Sequence, residues 1–201
     1  MDELVQSMIG AGTLKTPRII EAFKAIDRKN FILRDYESLA YTDDPQHIGF
    51  AQTISQPSTV AFMLELLDPR PGQKILDIGS GSGWTTALLA HIVGNKGKVY
   101  GKEIIPQLVQ FGNSNLKPYT FENASITPAT PQELGDTAHA PYDRILVSAS
   151  AKEFPEPLME QLIVGGILVM PVNYDIIKVT KVTPAQVTKE VFPGYVFVPL
   201  V

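Results

Sequence analysis

Lys74-Ile75-Leu76-Asp77-Ile78-Gly79-Ser80-Gly81-Ser82-Gly83-Trp84 decides how this chain folds. Lys74 to Ile78 reads as a strand, and it runs without a spacer into a Gly-x-Gly-x-Gly turn. From Trp84 to Val93 the pattern is helical. A strand, a glycine turn and a helix in immediate succession form the opening unit of a parallel sheet, in which ligands sit at the carboxyl ends of strands. Glycines let the backbone turn sharply and approach a ligand without Cβ clashes, and the first helical turn offers unpaired N–H groups. A nucleoside carrying a polar tail suits such a turn.

Outward from this unit, strands and helices alternate. Lys98 to Glu103 reads as a strand, Pro106 to Leu116 as a helix, Ala124 to Thr127 and Tyr142 to Ser148 as strands, Pro157 to Leu162 as a helix and Ile167 to Pro171 as a strand. Alternation of this kind predicts an α/β fold, a Rossmann-like, doubly wound and mainly parallel sheet with helices on both faces. Gly165-Gly166 is expected to end the last helix, and Ile176 to Val182 and Tyr195 to Val198 to add antiparallel edge strands. Residues 1–70 read as a small helical N-terminal cap subdomain, and residues 71–201 as the ligand-binding core. In the first part Thr16-Pro17 marks a helix start, with Thr16 as N-cap. Tyr41 to Pro57 shows no clear periodicity.

The charge of the loop narrows its ligand. Its spacing is one residue shorter than the dinucleotide fingerprint, and Asp77 stands two positions before the first glycine. An acid there repels a pyrophosphate but attracts the ammonium of a methionine moiety, which favours S-adenosylmethionine over a dinucleotide. Twenty residues after Gly83, at the end of the next strand, Glu103 can accept hydrogen bonds from both ribose hydroxyls. The plainer alternative is an ordinary strand-to-helix turn with a solvated acid nearby; the combination of strand, Asp77, glycines and Glu103 argues against it.

Composition excludes several other classes. With 201 residues the chain suits one domain with appendages, and with no cysteine it has no disulfide, thiol nucleophile or thiolate metal site. Three histidines, His47, His91 and His139, lie too far apart in sequence to suggest a metal site, and surface or capping roles are expected for them. A net charge of −4 and the absence of basic runs argue against nucleic acid or an anionic membrane as partner. No signal-like start or membrane-length apolar run is visible, so a cytoplasmic protein is expected, and a monomer.

A second constellation lies upstream at Ile48-Gly49-Phe50-Ala51-Gln52-Thr53-Ile54-Ser55-Gln56-Pro57. On residue types alone, Ser55 or Ser58 is an N-cap and Pro57 occupies the first helical turn. No Gly-x-Ser-x-Gly elbow surrounds Ser55, so a hydrolase nucleophile is not indicated.

Together with Leu76 to Gly83, Ala140-Pro141-Tyr142-Asp143, Pro155 to Pro171 and Phe197-Val198-Pro199-Leu200, this Thr-Ile-Ser-x-Pro segment resembles the protein-L-isoaspartate O-methyltransferase family. The resemblance runs through nearly the whole chain. It implies a class I methyltransferase fold, S-adenosylmethionine as cosubstrate without a metal, and methylation of isoaspartyl residues in damaged peptides or proteins. It places Ser55 beside the transferred methyl, with Gln52 and Thr53 lining the same pocket, Gly79, Ser80, Gly81 and Ser82 against the methionine portion of the donor, and Glu103 on its ribose.

Two positions depart from the family pattern. The adenine-reading acid of its Gly-Asp-Gly is absent, Thr130-Pro131-Gln132 standing in its place, which keeps open an altered-specificity relative with weakened donor binding. Lys102 replaces an apolar strand residue and is expected to reach solvent, because strand alternation turns it away from Glu103.

Overall fold

A computed structural model describes residues 1–200. Two helices, α1 (Asp2–Gly10) and α2 (Pro17–Ala25), lead through two 3-10 turns into a hairpin, β1 (Gln46–Gly49) and β2 (Gln52–Ile54), and helix α3 (Pro57–Leu67). Then come β3 (Lys74–Ile78), α4 (Trp84–Val93), β4 (Lys98–Glu103), α5 (Pro106–Leu116), β5 (Ala124–Pro128) and β6 (Tyr142–Val147). The chain continues through α6 (Pro157–Glu160), β7 (Leu162–Val172), β8 (Asp175–Thr183) and β9 (Gln186–Pro193).

Seven strands form one sheet in the order β5-β4-β3-β6-β7-β8-β9. Pairing is parallel from β5 to β7 and antiparallel in β7-β8 and β8-β9. The expected doubly wound sheet is therefore present. From β3 the chain crosses to β4 on one side and later returns to β6 on the other, so the carboxyl end of β3 lies at a topological switch point. The central strands are apolar runs because both faces are covered: Ile75, Leu76, Ile145 and Leu146 are all buried. Helix α4 is buried along nearly its whole length, with Trp84 edge-on to Phe23 of α2 at 5.5 Å between ring centroids. Leu4, Phe23 and Leu64 of the N-terminal helices share one apolar cluster with Leu88 of α4 and Val169 of β7.

Several local expectations are corrected. Gly165-Gly166 does not end a helix. Helix α6 stops at Glu160, and the two glycines lie inside β7, where the register with β6 jumps from Tyr142↔Leu162 to Arg144↔Ile167 and the intervening residues bulge out. Gly165 has φ +84°, and a Cβ on Gly166 would come within 2.6 Å of the Leu162 side chain. Tyr195 to Val198 is not a strand. The edge strand is instead Gln186–Pro193, whose polar residues conceal it because both of its faces are largely exposed. Neither Thr16, Ser55 nor Ser58 serves as an N-cap side chain. Thr16 Oγ1 donates to Glu65 (2.6 Å), tying α2 to α3, and the first turn of α3 is capped by Asp43, which accepts from the Ser58 N–H (2.8 Å).

The aperiodic stretch before α3 contains the hairpin. Its register, Gly49↔Gln52, leaves a two-residue turn of Phe50 (φ 54°) and Ala51 (φ 56°), both left-handed as type I′ geometry demands. Neither residue favours that region, so the turn stores strain. Replacing Phe50-Ala51 by Asn-Gly is expected to raise unfolding stability by about 1–2 kcal/mol. Urea denaturation reads this as a higher midpoint at unchanged slope; a lower midpoint would mean that the exposed Phe50 ring contributes more than the strain costs.

Candidate active site

The glycine turn is held in place by its neighbours. Gly79 and Ser80 donate their N–H groups to the Lys102 carbonyl (2.8 and 3.1 Å), which fastens the turn to β4. Gly79, Gly81 and Gly83 all have positive φ, at +75°, +51° and +87°. The turn also lies flush against β4 and α5: a Cβ on Gly101 would sit 2.8 Å from Ser80 Oγ, and one on Gly112 would sit 2.9 Å from the Gly81 carbonyl. Asn115 Nδ2 donates to the Ser82 carbonyl (3.0 Å). Gly101, Gly112 and Asn115 thus shape the turn, yet a lone glycine or asparagine carries no signal of this in sequence.

Glu103 is buried at the end of β4 with both oxygens engaged. Oε2 accepts from the Gly81 N–H and Oε1 from the Ile105 N–H, each at 2.9 Å. Each oxygen keeps lone-pair capacity toward the cavity beside it.

That cavity encloses about 970 Å³ including its open mouth. Its walls include Gln52, Thr53, Ser55, Gly79, Ser80, Gly81, Ser82, Trp84 and Glu103, so the hairpin and the glycine turn meet across one space. Ile104 and Ile105 line it as well and supply apolar surface next to Glu103. Gly83 stands back from the wall, because its role is to turn the chain into α4, as whose N-cap it serves.

Asp77 is placed differently from the expectation that it faces the donor. Its side chain is completely buried beneath the turn, where Oδ2 accepts from Thr86 Oγ1 (2.6 Å) and Thr85 Oγ1 (3.0 Å), and it does not reach the cavity wall. Burial pushes its carboxyl up to about 6, against the opposing hydrogen bonds of Thr86, Thr85 and Ser80 and with the help of the nearby Glu103 charge. Asp77 is therefore not a wall residue of the cavity.

A second, larger groove opens on the other side of the hairpin. Thr53, Ser55, Ser148 and Val198 line both spaces, so Ser55 stands where they join. The outer wall is the C-terminal segment, pinned by the Ser150 N–H donating to the Val198 carbonyl and the Leu200 N–H to the Ser150 carbonyl, both at 2.8 Å. Phe62 of α3 stacks on Tyr195 at 5.6 Å along this groove. The C-terminal residues therefore help to line both spaces.

At the far end of the cavity the wall is Ala129, Thr130, Glu133, Leu134 and Gly135, and Pro131 and Gln132 are not part of it. Lys102 does not extend to solvent. Its side chain is only 16% exposed and its Nζ lies 3.7 Å from Asp136 Oδ2, the oxygen that also meets His139 Nδ1 at 2.8 Å. The segment after β5 folds over the end of β4 and covers the lysine. His139 stacks on Tyr100 at 4.3 Å. Among the described residues no group of histidine, aspartate and glutamate could hold a metal ion, and no helix is long and apolar enough to cross a membrane.

Comparison with known proteins identifies the family and the fold. The family model described as protein-L-isoaspartate(D-aspartate) O-methyltransferase matches residues 1–201. A protein-L-isoaspartate O-methyltransferase of Ignicoccus hospitalis is 38% identical over 204 residues, covering 99% of this chain and 96% of that protein. The one from Methanopyrus kandleri is 39% identical over 204 residues, covering 100% and 90%. Among solved structures, a Plasmodium falciparum protein-L-isoaspartate O-methyltransferase in complex with S-adenosyl-L-homocysteine superposes with a TM-score of 0.88 at 26% identity, covering 99% of this chain and 97% of that one. A match over the full chain, with relatives close to 40% identical along nearly their whole length, leaves one assignment: this chain belongs to the protein-L-isoaspartate(D-aspartate) O-methyltransferase family.

Proposed function

We propose that the protein transfers the methyl group of S-adenosylmethionine to the free α-carboxylate of isoaspartyl residues in damaged proteins. The observation that carries this reading is the position of Ser55 in the wall shared by the cavity beside the glycine turn and the larger groove along the C-terminal segment. One space suits a small donor and the other a peptide. The residues fit the donor: Glu103 has acceptor capacity left for two ribose hydroxyls, Gly79 to Ser82 bring backbone close to its amino-acid end, and the buried Asp77 biases that end toward a cation. Bound there, the donor supplies an electrophilic sulfonium methyl.

The protein's own task is orientation. An isoaspartyl α-carboxylate has a pKa of about 3.5, so it is an anionic nucleophile at neutral pH and needs no general base. Holding it in line and excluding water can lower the barrier by roughly 7 kcal/mol in favourable cases. Ser55, as a hydroxyl donor, fixes the carboxylate without neutralising it, and Thr53 and Gln52 complete the wall. We read the protein as one that engages neither nucleic acid nor an anionic membrane, on the strength of its net charge of −4, and as a cytoplasmic monomer.

Methyl transfer to an isoaspartyl peptide, with none to its aspartyl counterpart, tests the reading; no turnover at saturating donor would sink it. Ser55→Ala is expected to lower kcat/KM for the peptide about tenfold, the loss of one hydrogen bond to a charged group. S-adenosylhomocysteine affinity, measured by calorimetry, should stay within about twofold.

A further inference from the structure

Arg28 belongs to neither cavity wall, yet it is completely buried directly behind Ser55. Its Nη2 donates to the carbonyls of Asp44 (2.9 Å) and Ser55 (3.1 Å), and its Nη1 to that of Ala40 (2.8 Å). The guanidinium carbon lies 5.4 Å from the centroid of the Trp84 ring, the first residue of α4 after the glycine turn. One side chain thus joins the 3-10 turn at Arg28–Phe31, the Ser55 segment and the donor end of α4.

The partners of this cation are unusual. A buried guanidinium ordinarily pairs with a carboxylate, because desolvating an uncompensated charge is costly. Among the described residues no carboxylate lies within 4 Å of Arg28; its partners are neutral carbonyls, and its Nε has none. The acids that act on it, Asp43 and Asp44, are exposed, and Asp43 is already engaged by the Ser58 N–H and Gln56 Nε2. Burial lowers its pKa only to about 10, so it is charged at neutral pH. A positive charge held in low dielectric beside the Ser55 main chain projects toward the space where Ser55 faces a ligand, and solvent screens it weakly there.

We propose that Arg28 is a positioning residue that holds the Ser55 segment through its carbonyl and supplies the positive field by which the site prefers an anionic carboxylate over a neutral carboxamide. This rests on the reading that the substrate carboxylate sits beside Ser55. It adds a charge requirement to a pocket whose polar side chains on the hairpin side, Gln52, Thr53 and Ser55, are all uncharged.

The test compares two ligands of the protein saturated with S-adenosylhomocysteine, so that neither turns over: an isoaspartyl peptide and the same peptide with its α-carboxyl converted to carboxamide. In the wild type the acid should bind more tightly. Arg28→Met, which removes charge but retains an apolar stem over Trp84, is expected to shrink the acid-to-amide preference about tenfold. Equal weakening of both ligands would reduce Arg28 to a scaffold residue and overturn the proposal. Arg28→Lys serves if the methionine variant no longer binds S-adenosylhomocysteine. A buried lysine titrates well below the arginine it replaces, so its preference should be largest at about pH 6 and decline by about pH 8.5, a range in which the wild-type guanidinium, with its pKa lowered only to about 10, stays charged and keeps its own. A pH-independent preference in the lysine variant would contradict a field effect. Failure of the wild type to bind the isoaspartyl peptide at all would instead strike the functional reading.

Discussion

Asp77→Asn is expected to gain stability relative to wild type as pH rises, by about 2 kcal/mol between pH 4 and pH 7. The carboxyl ionises near 3.9 in an unfolded chain but is raised to about 6 in the folded protein, chiefly by burial. Between those values the folded state holds a proton that the unfolded state has released. Folding therefore weakens with rising pH through this window, and the full penalty is present above about pH 6. Asparagine does not titrate, so it escapes the penalty. Its unmet amide N–H groups carry a cost of their own, but that cost is the same at both pH values. Urea titrations at pH 4 and pH 7 give the difference directly; a variant whose stability runs parallel to wild type would show that the buried carboxyl is not raised. The same substitution should weaken donor binding, since the buried negative charge below the turn is lost. Stability and donor affinity are expected to move in opposite directions, as they do where a site is built from an unfavourably buried charge.

Glu103→Ala is expected to raise the dissociation constant of S-adenosylhomocysteine more than about a hundredfold, because the proposed ribose contact would lose two charge-assisted hydrogen bonds together. The loss does not stop at the ligand. The Gly81 and Ile105 N–H groups both rely on this carboxylate, so its removal loosens the glycine turn itself and should lower stability by about 1–3 kcal/mol. Glu103→Gln retains one acceptor and should fall between alanine and wild type, near tenfold. Calorimetry on the two variants distinguishes the cases; an alanine variant binding within threefold of wild type would remove Glu103 from the donor site.

Parts of this protein could be read from residue order because local chemistry and tertiary position coincide there. Central parallel strands such as Lys74–Ile78 and Tyr142–Val147 announce themselves as apolar runs, since both of their faces are covered. The edge strand Gln186–Pro193 is nearly all exposed, so no apolar alternation marks it. The Thr-Ile-Ser-x-Pro segment was legible as a motif, but the hairpin that carries it was not, because its turn uses Phe50 and Ala51 where type I′ geometry favours asparagine and glycine.

The donor site divides in the same way. Strand, glycine turn, Glu103 and the α/β order follow from residue types at fixed spacing, each constrained by its own backbone neighbours. Tertiary packing alone decided that Asp77 lies beneath the turn, that Lys102 turns inward to Asp136, and that Arg28 stands behind Ser55. These are contacts between segments distant in the chain, where a charged side chain goes inward or outward according to what folds over it, and no local pattern encodes that covering.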